Sequence, residues 1–89
     1  MNAIAKSVFT PEYAELISML RKAREEAGLH QREVAHRIGE STLFVSRCER
    51  GERRMDVVEF CAVCIAVGVR PDQLMGDLET KLRARLVAD

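Results

Sequence analysis

The sequence predicts an all-α fold of five helices, and three observations predict it. Apolar residues recur at helical spacing in successive segments of the chain. Most of those segments open on a helix-start residue, and four of the five close on a glycine, at Gly28, Gly39, Gly51 and Gly68. The composition, 89 residues of which 47% are hydrophobic, supports one small domain with a modest core.

Each element has its own justification. Residues 1–9 show no clear period and read as a flexible N-terminal arm. Thr10-Pro11-Glu12 combines an N-cap, a proline at the first helical position and an acid in the first turn. The helix it opens is predicted over 11–27, with Tyr13, Leu16, Ile17, Leu20, Ala23, Arg24 and Ala27 on one face. Leu29 plugs the following junction, and His30 stands at the next N-cap. The second helix, 31–38, buries Val34, Ala35 and Ile38, with Ala35 small where two backbones cross. Gly39 supplies the positive φ that a three-residue turn needs, and Ser41 caps a third helix from Thr42 to about Arg50.

Glu52-Arg53-Arg54 form a charged loop, and Asp56 caps a fourth helix from Val57 to about Val67. Apart from Glu59 that helix is apolar on nearly every side, which predicts a central, buried element. Arg70-Pro71-Asp72 starts the last helix, in which Leu74, Leu78, Leu82 and Leu86 recur every four residues. Basic residues at 81, 83 and 85 suit its C-terminal dipole.

Composition also excludes classes. Three cysteines, an odd number, argue against a disulfide framework, and with no signal peptide the expected compartment is the cytoplasm, at the nucleoid when bound to DNA. The longest apolar run, around 60–69, falls far short of the roughly 20 residues a membrane span requires. Formal net charge is zero, but it is unevenly spread. Residues 21–54 hold nine Lys or Arg against six Asp or Glu, +3, and the remainder holds five against eight, −3. The basic excess therefore surrounds the stretch 31–51, whose two short helices and tight turn have the layout of a helix-turn-helix, a motif that places its second helix in the major groove of DNA.

The segment from about Leu20 to Leu74 resembles the Cro/repressor-like, or XRE, helix-turn-helix family. The resemblance rests on LRKAREEAGL, QREVAHRIG, FVSRCERGERR, the capped apolar helix ending AVGV, and PDQLM, with Gln31, Ala35, Gly39, Ser46, Glu49 and Gly51 in register. It implies a five-helix DNA-binding domain over 10–76, here followed by an extended C-terminal helix over 77–89, and a dimeric regulator of transcription. The chain departs from the family at His30 (usually a small polar cap), Leu43 (often a polar base reader), Cys48 (usually larger) and Met55 (often proline).

In that register Gln31 and Arg32 stand where the N-terminus of the second helix meets a phosphate. Thr42, Leu43, Ser46 and Arg47 are the candidate base readers; Arg47 suits a guanine edge or a phosphate, and Leu43 suits a thymine methyl. Phe44 either joins them or folds back into the core. Arg50, Arg53 and Arg54 are candidate phosphate contacts at the rim. The resemblance further implies an ion pair between Arg24 and Glu49, joining the first helix to the end of the third.

Leu74, Leu78, Leu82 and Leu86 are the candidate dimer interface, which would set two recognition helices over a palindromic site. Cys61-x-x-Cys64 lies within an apolar helix with no second ligand pair, so no metal or cofactor is expected. Paired carboxylates, a triad and a phosphate loop are all lacking, so no enzymatic activity is expected. The expected partners are double-stranded DNA and a second copy, with a protein such as a toxin as a further possibility. The alternative function is a protein-interaction module, or an antitoxin or controller component, built on the same fold.

Overall fold

A computed structural model describes residues 10–87, so the arm assigned to residues 1–9 and the last two residues lie outside it. Among the described residues there are five helices: α1 Pro11–Glu26, α2 Gln31–Ile38, α3 Thr42–Glu49, α4 Val57–Val67 and α5 Pro71–Val87.

Local chemistry sets these boundaries. Thr10 Oγ1 accepts from the Tyr13 N–H (3.1 Å) and Ser41 Oγ from the Phe44 N–H (3.0 Å). Asp56 and Glu59 cap each other's backbone reciprocally, at 2.7 and 2.9 Å. His30, a poor cap, is helped from the third position of α2, where Glu33 Oε1 accepts its backbone N–H at 2.7 Å. At the other end, Gly39 (φ 73°) and Gly68 (φ 87°) take the left-handed conformation that stops α2 and α4. Two predicted ends shift slightly: α1 stops at Glu26, and α3 stops at Glu49 with Arg50 as its cap residue.

All five helices contribute to one core. It gathers Leu16 and Leu20 from α1, Val34 and Ala35 from α2, Val45 and Cys48 from α3, Phe60, Val63, Cys64 and Val67 from α4, and Leu74 from α5. Arg37 crosses from α2 to donate to the Ala66 carbonyl at 2.7 Å, placing a cation at the C-terminal end of α4. Tyr13 performs a similar tie from α1: its hydroxyl accepts the Met55 N–H at 3.0 Å, and the Arg54 guanidinium lies 4.6 Å from its ring centre.

Two expectations need correction. α4 is not buried all round: Val57, Val58 and Ile65 are 68%, 77% and 71% exposed. The surrounding helices cover only one side of α4, and apolar composition alone does not say which side goes uncovered. Leu74 is not a surface residue available to a dimer; it is 8% exposed and belongs to the core. It sits one turn into α5, where that helix packs on the domain. Farther along, Leu78 and Leu82 are half-buried and Leu86 is exposed. The outer turns of α5 are held to α1 by Lys81–Glu15 (3.2 Å) and Arg85–Glu12 (2.9 Å).

Replacing Tyr13 by Phe removes the acceptor for the Met55 N–H while preserving the ring. The expected loss is about 1 kcal/mol of unfolding free energy, read by urea denaturation; an unchanged midpoint would show that the hydroxyl contributes nothing.

Candidate nucleic-acid interface

The site is the α2–turn–α3 unit, and its geometry follows from how an eight-residue helix divides its faces. In α3, Phe44, Val45 and Cys48 point inward, whereas Thr42, Leu43 and Arg47 are exposed and Ser46 is half-exposed. At about 100° per residue, Thr42, Leu43, Ser46, Arg47 and the following Arg50 share one side of the helix. That side is the candidate reading face. Leu43, 55% exposed, is its apolar element.

Phe44 is therefore not a base reader. It is 9% exposed, part of the core, and roofed by the Arg53 guanidinium at 4.7 Å from its ring centre. Its angular position lies between the two core residues and the outer face, and burial of a large aromatic surface decides the outcome.

Two of the cations around the face, Arg50 and Arg53, are held in place by carboxylates. Arg50 makes a two-pronged contact with Glu52, at 2.9 and 3.1 Å, and its third nitrogen donates to Ser46 Oγ. Arg53 makes an equivalent contact with Glu59, at 2.9 and 3.1 Å, and also donates to the Arg54 carbonyl. The Arg53 hydrogen bonds, followed by the Asp56 backbone N–H, hold the Glu59 carboxyl below its usual range. Arg32 and Arg47 are exposed.

Behind the face lies the connection to α1. Arg24 Nε and Nη2 meet the two Glu49 oxygens at 2.6 and 2.9 Å, and Arg24 Nη1 donates to the Leu29 carbonyl at 2.7 Å. Both side chains are little exposed, 11% and 12%. The hydrogen bonds to Glu49 are the main reason the Arg24 pKa is raised. Gln31 completes the cluster by donating from Nε2 to Glu49 Oε1 at 2.8 Å. Its amide nitrogen thus faces the ion pair at the α2–α3 junction and braces it.

Some contributors were not read from the sequence. Glu52 and Glu59 orient the loop arginines, and Tyr13 and Arg37 tie the site to its frame. Glu59 carried a usable signal, since an acid three residues after Asp56 is a capping-box pattern; its second role, toward Arg53, depends on the loop doubling back. The cysteines offer little chemistry. Burial pushes the Cys64 thiol up to about 11 and raises that of Cys48, which disfavours the reactive thiolate. Among the described residues, no three His, Cys, Asp or Glu side chains cluster as metal ligands, and no helix is long and apolar enough to cross a membrane.

This arrangement of two short helices about a glycine turn, set in a five-helix frame, defines a helix-turn-helix domain, and the profile of the family described as "Helix-turn-helix domain" matches residues 15–78. Comparison with solved structures finds an XRE-family like protein from Pseudomonas syringae pv. tomato str. DC3000 that is 41% identical. The match has a TM-score of 0.75 and covers 79% of this chain and 85% of that one. Comparison with curated proteins finds no match. The chain belongs to the XRE-type helix-turn-helix family, and its fold is that of DNA-binding regulators.

Two outcomes follow. Arg24→Ala leaves the Glu49 carboxylate largely buried with Gln31 as its remaining side-chain donor. It should cost about 3 kcal/mol, a fall in Tm of roughly 12–24 °C, measured by thermal unfolding. In thiol titration of the native protein, the half-buried Cys61 should react first, with Cys48 and Cys64 reacting only on unfolding.

Proposed function

We propose that this protein is a sequence-specific transcriptional regulator that acts as a homodimer, reads a palindromic operator through α3, and represses by occupying it. The observation that carries this reading is the two-sided α3: one side is locked in the core, and the other presents Thr42, Leu43, Ser46 and Arg47 together. A face of that composition suits a major groove. Arg47 pairs bidentately with a guanine edge, the hydroxyls bond base or phosphate groups, and Leu43 packs on a thymine methyl.

Phosphate contacts fall to the rim. Arg32 and the first-turn amides of α2 meet one strand, with Gln31 bracing the junction behind them. Arg50, Arg53 and Arg54 flank the other end of α3, each exchanging part of its contacts within the chain for a phosphate. The outer turns of α5, with Leu82 and Leu86, supply the contact between copies and set two α3 helices about one DNA turn, roughly 34 Å, apart.

The exposed Val57, Val58 and Ile65 on α4 favour a second reading. An apolar patch of this kind suits a protein partner, as in an antitoxin or a controller component.

Selection of bound sequences from random DNA separates the readings. The expected result is enrichment of a palindrome whose binding weakens steeply with salt; no salt-sensitive binding to any sequence overturns the DNA reading. Arg47→Ala should lower affinity by about 1–3 kcal/mol and relax selection at one position of each half-site. Arg32→Ala should weaken all sequences alike.

A further inference from the structure

Among the described residues, nothing accounts for Gly76. It lies in the interior of α5, where glycine weakens a helix relative to alanine. It does not take a left-handed φ. A Cβ built on it would meet nothing within 4 Å. Neither backbone conformation nor crowding by the described residues calls for a missing side chain there.

Its surroundings supply the missing neighbour. At about 100° per residue, Gly76, Glu79, Arg83 and Leu86 fall within one arc of α5, flanked by Met75 and Val87. An open groove of about 410 Å³, lined by Leu78 and Leu82 together with Glu79, Arg83 and Leu86, runs beside this arc without including Gly76. Glu79 and Arg83 are exposed, with side chains 62% and 67% accessible, and Leu86 and Val87 are 42% and 65% exposed. Lys81 points the other way, to Glu15 of α1.

We infer that the occupant of this face is a second copy of α5, packed antiparallel about a two-fold axis at the level of Lys81, with Gly76 as the notch that receives Leu86 of the second copy. The register follows from self-complementarity. With the axis at that level, Glu79 lies opposite Arg83 of the second copy and Arg83 opposite its Glu79. Met75 lies opposite its Val87. Each pairing occurs twice, as an isologous contact requires. The Glu79–Arg83 pair already formed along the helix at 2.6 Å becomes half of a four-charge ring. A parallel arrangement would instead set Glu79 on Glu79 and Arg83 on Arg83. A side chain at position 76 would hold the two helices apart, which accounts for the glycine.

This inference rests on the proposed homodimer, and the experiment separates the two. The full chain and its Gly76→Leu variant are compared by sedimentation, with thermal unfolding at concentrations below dimer dissociation as the control. Gly76→Leu should weaken the dimer at least tenfold without lowering the monomer's Tm, because leucine is the better helix former and no described residue lies within 4 Å of the added Cβ. In a Cys61→Ser background with copper phenanthroline as oxidant, Gly76→Cys and Leu86→Cys chains mixed together should form a disulfide that neither forms alone. A wild-type chain that sediments only as monomer overturns the dimer itself. A dimer that tolerates Gly76→Leu, a Gly76→Cys chain that cross-links to itself, or a mixture that fails to cross-link overturns this register while leaving the dimer standing.

Discussion

The contact between Arg24 and Glu49 is the constraint on which the rest of the site depends. α3 is eight residues long, too short to persist alone in water. Its orientation is imposed from outside, and the last residue of the helix carries the imposition. Glu49 is held by two Arg24 nitrogens and one Gln31 nitrogen, and Arg24 also grips the Leu29 carbonyl in the junction between α1 and α2. One guanidinium therefore touches the end of α3 and the entry to α2 from its base on α1. The planar fork of arginine suits this, since it satisfies a carboxylate with two donors and retains a third for the carbonyl. A lysine at position 24 would keep the charge but lose the geometry.

A second set of contacts performs the equivalent task on the far side of α3. Phe44 enters the core from α3, Arg53 lies across its ring, Glu59 holds Arg53 from α4, and Glu59 also caps α4 through Asp56. The loop between α3 and α4 is thereby bound to both helices that flank it. Tyr13 adds a hold from α1 through Met55 and Arg54. The candidate reading face is exposed, but it stands on a frame fastened at both ends.

Much of this was legible in the sequence because it is local. Thr10, Ser41 and Asp56 announce helix starts, and Gly39 and Gly68 announce ends, through chemistry that acts within three or four residues. The resemblance brought Arg24 and Glu49 to notice, 25 positions apart, where no periodicity would have paired them. What was not legible depends on which faces are covered. On α3, Phe44 sits at the boundary between inner and outer sides, and only the Arg53 lid and the core around it settle its place. On α4, eleven mostly apolar residues suggested burial on all sides, yet the neighbouring helices leave Val58 and Ile65 open. On α5, a uniform leucine series concealed a gradient from the core residue Leu74 to the exposed Leu86.

Two of the arginines around the candidate reading face carry their own counterions. Arg50 is matched by Glu52 and Arg53 by Glu59, each through two hydrogen bonds. A polyanion that engages such an arginine displaces a tethered carboxylate from it, and that carboxylate then recruits a mobile cation from solution. Part of the ion release that drives association is thereby offset by ion uptake on the protein. Counting phosphates from the salt dependence of this chain would underestimate them. The same tethered acids would repel an anion that approached out of register, a discrimination that a uniformly basic surface would lack.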